Sequence, residues 1–420
     1  LNEPPRQSTG AFLRQNGRWL SAGALISFTS SYGQTFFIAL FAGQIMGEFG
    51  LTDGTWGTLY AVATIVSAGA MIAAGPWTDR LRVRHLATLT CLTLAVACLS
   101  MAGSRGLIWL AVTVFLLRFA GQGMMSHLAA VGMARWFAAS RGRALAIAAT
   151  GFALGQAILP VLFVQAGAIL SWRTLWVVAA LAVVATIPVI LYLLRTERHP
   201  SGSAEGQTVF GLDGIHWTRA QMLRSGLFWA LVPLMLGPPA FGTALFFHQV
   251  HLVDAKGWDL AGYVALLPLF TVVSVATMLL SGVLLDRYGA ARLMRVYLLP
   301  FALGFWAMGM ADTLWGAALA LTIFGIGTGA QGTLPTACWA ELYGTRHLGA
   351  IKSVATGIMV LGSAIGPAVT GWTIDAGFDF PQQMIAIVLY FLAATLLAAW
   401  ALTRALPRLS QTAEIDVVRA

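Results

Sequence analysis

Arg118 interrupts an apolar run that extends from Leu107 to Met125 and beyond. If that run crosses a bilayer, a charge at its centre costs roughly 3 kcal/mol, so the residue needs a use. All 16 acidic residues lie in loops or at the ends of apolar runs, which leaves no carboxylate at the same depth. Such a guanidinium can seat an anionic ligand, because a charge-assisted bond offsets its desolvation. It can equally be held by carbonyls and Gln side chains. Gln122 follows one helical turn later on the same face. Tyr32, Gln34, Gln156 and Gln331 fall at similar or slightly inner depth. Each can donate to a carboxylate or serve as glue between helices. Phe36 and Phe246 supply apolar walls, and His248, with His251 a turn away, can titrate or gate. Tyr32, Gln34, Phe36, Arg118, Gln122, Gln156, Phe246, His248 and Gln331 are therefore the candidate ligand-binding set.

The elements that hold these residues follow from composition. Of 420 residues, 58% are hydrophobic and 10% charged, against roughly half and a quarter in a soluble domain. One crossing takes about 20 mostly apolar residues, so there is material for about a dozen. Reading apolar runs between charged or Gly/Pro-rich breaks gives spans at 19–46, 55–77, 85–103, 108–133, 144–166 and 172–194. A second set follows at 226–252, 260–284, 291–311, 314–338, 350–373 and 382–403. The expected fold is an all-α membrane protein, with twelve transmembrane helices in two six-helix bundles. A polar tail, 1–18, precedes the first bundle, 19–194. The linker 195–225 is the longest polar stretch; it carries Pro200-Ser-Gly-Ser203 and a short amphipathic piece around Trp217. The second bundle, 226–403, ends in a tail, 404–420. The first span is too long for a signal-peptide core and reads as an uncleaved insertion signal. In span 7, Gly237-Pro238-Pro239 removes two backbone donors, and a kink or break is expected there. Lys352, one turn inside span 11, reads as a snorkelling lysine.

The net charge of +9 would suggest nucleic acid in a soluble chain. Here the basic residues sit in short loops, as topology signals do, and no nucleic-acid partner is expected. With the N-terminus placed in the cytoplasm, 21 of the 25 Lys and Arg fall inside and only Arg105, Arg173 and Lys256 outside. Both termini are thus expected in the cytoplasm and the chain in the cell's inner (plasma) membrane. Cys91, Cys98 and Cys338 have no metal-ligand spacing and read as packing residues. No metal cluster, nucleophile–base pair or nucleotide loop appears, so neither cofactor nor enzymatic activity is expected.

The halves repeat. At a constant offset of 207, Gly75 maps to Gly282, Asp79 to Asp286, Arg80 to Arg287, Gly142 to Gly349, Gly155 to Gly362 and Pro160 to Pro367. Six helices per copy is an even number, so both copies enter the membrane the same way round. Parallel repeats of this kind belong to secondary transporters with a midplane site between halves.

Gly75-Pro-Trp-Thr-Asp79-Arg80-Leu-Arg-Val-Arg84 resembles the loop motif G-x-x-x-D-R-x-G-R-R/K of the major facilitator superfamily, with Arg82 where the family has Gly. Gly282-Val-Leu-Leu-Asp286-Arg287-Tyr-Gly289 repeats it without the trailing basic pair. Arg118-Phe-Ala-Gly121-Gln-Gly123 resembles the family's R-x-x-x-G-x-G pattern on helix 4, and Gly151, Gly155 and Pro160 loosely match another on helix 5. The resemblance implies alternating access. It also implies that Gly75, Asp79, Arg80, Gly282, Asp286 and Arg287 belong to a conformational latch, acting through helix ends and nearby Arg residues. Trp136-Phe137 through Gly155 looks like the helix 4–5 signature of monocarboxylate and oxalate-type transporters. Span 1, with Ser30-Ser-Tyr-Gly-Gln-Thr-Phe-Phe37, lacks that subgroup's acidic, Gly- and Trp-rich signature. The implied function is transport of a small organic anion, with Arg118 neutralising it. The alternative is a larger, mostly neutral aromatic compound such as a vitamin or drug. Expected partners are the small-molecule substrate, the lipid bilayer and, left open, a co-transported proton; a monomer is expected.

Overall fold

The computed structural model describes residues 9–75, 77–137, 140–196 and 211–419, and it is almost wholly helical. Ten helices are long and apolar enough to cross a membrane, or eleven if the bent pair Phe12–Gly33 and Thr35–Phe49 counts as one span. Leu299–Met310 is a shorter apolar helix. In hydrocarbon every backbone donor and acceptor needs an internal partner, and a helix provides it within one segment. Large apolar side chains cover the outward faces: Val66, Leu181, Val272, Val283, Leu389 and Leu396 are each more than half exposed. The structure is therefore that of a multi-pass helical membrane protein.

Local signals set the helix ends. The Ser171 hydroxyl accepts from the Thr174 amide, and the Asp259 carboxylate from the Gly262 amide, each capping a helix start. Pro300 opens Leu299–Met310, where its missing donor costs nothing. This fresh start, after a turn at 294–298, makes the helix shorter than the run 291–311 suggested. At the other extreme, helix runs from Thr9 into the first span, and Phe380–Arg419 continues through the residues read as a C-terminal tail. In the linker, residues 197–210, including Pro200 to Ser203, lie outside the described residues. Beyond them the Thr218 hydroxyl and the Gln221 side chain form a capping box on the short helix Arg219–Arg224. Arg408 Nε donates to Asp213 Oδ1 at 2.9 Å, and its Nη2 reaches the other carboxylate oxygen. That pairing holds the Asp213 carboxyl below the usual carboxylate range.

The chain divides into two compact units, Leu1–Phe41 with Ala63–Glu205, and Ala42–Val62 with Gly206–Ala420. The segment 42–62, the end of the first span and the start of the second, thus groups with residues of the second half. Within the first unit, Thr9–Thr29 packs on Arg141–Ala166 and Val83–Ala102 on Trp172–Leu193. Within the second, Gly226–Phe247 packs on Leu348–Asp375 and Leu299–Met310 on Phe380–Arg419. These are the same partners in the two copies of the repeat.

Of the kink or break expected in span 7, the break does not occur: Gly226–Phe247 runs as one helix through Pro233, Pro238 and Pro239. Helix Leu348–Asp375 lies close along that stretch; a Cβ on Gly366 would come within 2.1 Å of the Ala240 carbonyl. The break occurs in span 1. There a 3-10 turn, Ser30–Gly33, and an extended Gln34 separate two helical pieces bent by 45°. The Thr29 hydroxyl donates to the Leu25 carbonyl at 2.8 Å and the Ser30 hydroxyl to the Ser27 carbonyl at 2.6 Å. Hydroxyls bonded back to the preceding turn compete with the helical ladder and bend it.

Candidate functional site

Gly33 ends the 3-10 turn of span 1 directly against span 4. A Cβ on Gly33 would lie 2.1 Å from the Leu117 carbonyl oxygen and 2.7 Å from Gly121 Cα; one on Gly121 would lie 2.5 Å from Gly33 Cα. Only glycine at both positions allows this approach. Beside it, residues Arg118–Met125 form a π-helical segment. That geometry widens a helix by one residue and recurs at functional sites. Two helices therefore lose regular geometry at the same place.

Arg118 stands at the start of the π-segment and is 1% exposed. Among the described residues it is the only Arg, Lys, Asp or Glu that is buried. Its Nε donates to Thr64 Oγ1 at 3.2 Å, and its Nη1 to Thr35 Oγ1 at 3.2 Å and to the Gly33 carbonyl at 3.5 Å. The guanidinium thus ties the break in span 1 to spans 2 and 4 through uncharged oxygens. Thr35, Thr64 and the Gly33 carbonyl were not singled out in the sequence, since nothing in an apolar run marks which hydroxyl meets a distant arginine.

The other first-half candidates lie in the same unit. Gln34 Nε2 donates to Ser126 Oγ at 3.4 Å, just past the π-segment. Tyr32 is buried edge-on against Phe37 and Phe163, with ring centroids 5.2 and 6.2 Å away. Phe36, also buried, meets Phe152 edge-on at 5.9 Å. Gln122 and Gln156 are half-buried. In the second unit, Phe246 packs in the aromatic cluster of Phe270 and Phe324. Gln331 borders a small cavity with Met235, Tyr297 and Trp339. His248 is buried elsewhere in that unit: its Nδ1 lies 3.2 Å from Asp53 Oδ1 and its Nε2 2.9 Å from the Pro367 carbonyl. Lys352 is exposed one turn inside Leu348–Asp375.

Of the latch residues, Gly75 ends the second span, while Asp79 and Arg80 sit on the short helix Trp77–Arg80 with side chains outside the described residues. In the second copy Asp286 is exposed and the Arg287 guanidinium lies 5.3 Å from the Tyr288 ring centroid. The next helix start is capped by Glu341, whose Oε2 accepts from the Ala290 and Ala291 amides at 2.6 and 3.2 Å.

Apolar spans, a broken helix beside a π-helical one, and a buried cation at their contact mark a multi-pass membrane protein with a charge held among its helices. The family model of the Major Facilitator Superfamily matches residues 23–275 and 264–417, and the chain belongs to that superfamily. It is a transporter rather than an enzyme. Among sequences it is similar to the uncharacterized proteins Mb2288 of Mycobacterium bovis and Rv2265 of Mycobacterium tuberculosis. Each is 24% identical over 377 residues, covering 87% of this chain and 88% of the relative. Among solved structures, a bacterial homolog of the human lysosomal transporter Spinster, inward-facing and unoccupied, has a TM-score of 0.70 at 18% identity. The match covers 94% of this chain and 98% of that one. A mutant of the nucleoside transporter NupG has a TM-score of 0.65 at 14% identity, covering 92% and 99%.

Proposed function

We propose that the protein moves a small organic anion of the monocarboxylate class across the cell membrane by alternating access, with both termini in the cytoplasm. Arg118 is the anchor. The observation that carries this reading is the guanidinium held at the contact of the broken and π-helical spans by two hydroxyls and a carbonyl. These bonds are exchangeable. A carboxylate arriving there offers a charge-assisted bond in place of hydroxyl contacts, worth roughly 1.5–3 kcal/mol. In this reading Gln122 and Gln156 serve as orienting donors and Tyr32 and Phe36 as apolar walls, with Gln331 and Phe246 contributed by the second half. The subgroup-like stretch Trp136 to Gly155 supports the same substrate class.

Counterflow in proteoliposomes tests it, with labelled mono- and dicarboxylates run beside neutral aromatics such as nucleosides. Carboxylate exchange that disappears in Arg118→Gln supports the anion site. Exchange of a neutral aromatic alone, unchanged in Arg118→Gln, makes Arg118 structural and moves the assignment to a neutral aromatic compound.

A further inference from the structure

Asp53 begins the helix Asp53–Ala74, where the positive end of the helix dipole favours a carboxylate. Its two oxygens face two histidines just past the end of helix Gly226–Phe247. Oδ1 lies 3.2 Å from His248 Nδ1, and Oδ2 lies 3.5 Å from His251 Nδ1. The far nitrogen of each ring also meets an oxygen. His248 Nε2 is 2.9 Å from the Pro367 carbonyl, and His251 Nε2 is 3.5 Å from Asp379 Oδ1.

A carbonyl oxygen only accepts, so His248 Nε2 must carry hydrogen. Nδ1 faces a carboxylate oxygen, so a proton must stand between those two atoms as well. The pair therefore holds one proton more than a neutral imidazole beside a carboxylate. Remove it, and lone pairs face each other at one of the two contacts. His248 is 2% exposed, so water cannot fill in there.

The surroundings make this contact a seam. Gly57 lies so close to helix Leu348–Asp375 that a Cβ would come within 2.7 Å of the Pro367 carbonyl. Asp375 accepts from the Thr52 hydroxyl at 2.7 Å and the Gly54 amide at 3.1 Å, and Trp372 Nε1 donates to Thr58 Oγ1 at 2.9 Å. Trp56 stacks on Phe247 with centroids 5.6 Å apart. The segment carrying Thr52 to Thr58 belongs by sequence to the first half, and every partner named here belongs to the second. Alternating access parts this seam when Thr52 to Thr58 move with the first half, whose sequence they continue.

We propose that Asp53 and His248, with His251 beside them, form a proton-binding latch that keeps the seam shut only while the Asp53–His248 pair is protonated. The other charged groups nearby are mostly acidic. Asp254 and Lys256 share the helix of His251, and Lys256 donates to the Gly309 carbonyl at 2.7 Å. Glu48 lies on the neighbouring helix Ala42–Phe49, Asp375 on the helix beside Gly54, and Asp259 caps the helix that follows. This acidity favours a protonated His251 ring. His251 is raised above the ordinary imidazole value, chiefly by its bond to Asp53, against burial and with help from the charges of Asp53, Asp379 and Asp254. Its contribution to closure is fully present below pH of about 6.5 and is lost as pH rises through the raised value. The proposal rests on the transporter class and is independent of the anion reading.

The test needs no substrate. The three native cysteines are buried, so spin labels at Gly47→Cys and Phe378→Cys, both exposed, report the seam by distance measurement in nanodiscs from pH 5 to 9. The expected result is one short distance at low pH and a growing longer population as pH rises. The ratio changes by up to about tenfold per pH unit for one linked proton. In Asp53→Asn the amide donates to His248 Nδ1 without any extra proton, so this variant should stay closed across the range. His248→Gln/His251→Gln should show no pH dependence. A distribution in the parent protein that does not move with pH overturns the proposal. So does Asp53→Asn opening at every pH, which marks a plain structural ion pair, or retaining the full pH response, which places the titrating group elsewhere.

Discussion

Span 4 around Arg118 and span 10 around Gly325 occupy matching places in the two halves, since the repeat offset of 207 carries residue 118 onto residue 325. They solve the same packing problem in opposite ways. In span 10, glycines let the backbone close onto span 8: a Cβ on Gly325 would meet the Phe270 carbonyl at 3.0 Å, and one on Gly329 the Ser274 carbonyl at 2.3 Å. That helix, Leu314–Gln331, stays α-helical. In span 4 the close approach is to the broken turn of span 1 instead, through Gly33 and Gly121. The helix widens into a π-segment, and a guanidinium reaches across to three oxygens. One half is a tightly closed pair of helices; the other spends regular geometry on holding a charge. Among the described residues the buried guanidinium is confined to one half.

The largest effect that could break this comparison comes from Gly325→Arg. A long charged side chain would have to enter a backbone contact, costing at least about 3 kcal/mol through overpacking and an unpaired buried charge. The variant should fail to give a monodisperse peak in size-exclusion chromatography. If it folds and transports, the two spans are not as different as their packing indicates.

Arg118→Gln comes next. Its expected loss is about 10- to 100-fold in carboxylate counterflow, matching one charge-assisted bond, with a thermal midpoint within a few degrees of the parent. A large fall in midpoint with transport retained per folded molecule would assign Arg118 to stability alone. Gly121→Ala sharpens the contrast at the backbone level. Its methyl would lie 2.5 Å from Gly33 Cα, and the chain must shift, costing about 1–3 kcal/mol in thermal unfolding in detergent. Thr64→Val has the smallest effect. It removes one hydroxyl from Arg118, which is worth about 1 kcal/mol and should lower apparent substrate affinity several-fold at most in the same counterflow assay.

How far these features were legible varies with their range. The apolar runs marked the spans well, because the bilayer acts on every residue of a run at once. The repeat was legible from six matched positions, and the packing partners recur in the two halves. Arg118 stood out because charge is rare at that depth. The break was misplaced for a specific reason. Pro238 and Pro239 were the visible helix breakers, yet neighbouring close packing keeps that helix continuous, while Thr29, Ser30 and Gly33 bend span 1 through local hydroxyl bonds and one long-range glycine contact. Asp53 passed as an ordinary loop-end acid. Its partners are 195 and 198 residues away, and nothing local signals a carboxylate shared by two histidines. Glu341, which caps the helix at Ala290, was missed for the same reason.

By itself, the amino-acid sequence determined that this chain is a multi-span helical membrane protein built from a parallel repeat, with a cation set inside one apolar span. Hydrophobic transfer and the cost of burying charge act residue by residue, so composition and periodicity carry them. Only the tertiary structure decided what the cation touches, which helix breaks, and that Asp53 meets His248 and His251. Those outcomes depend on hydrogen bonds and close backbone contacts between residues far apart in the chain, where a difference of an ångström decides whether a partner exists.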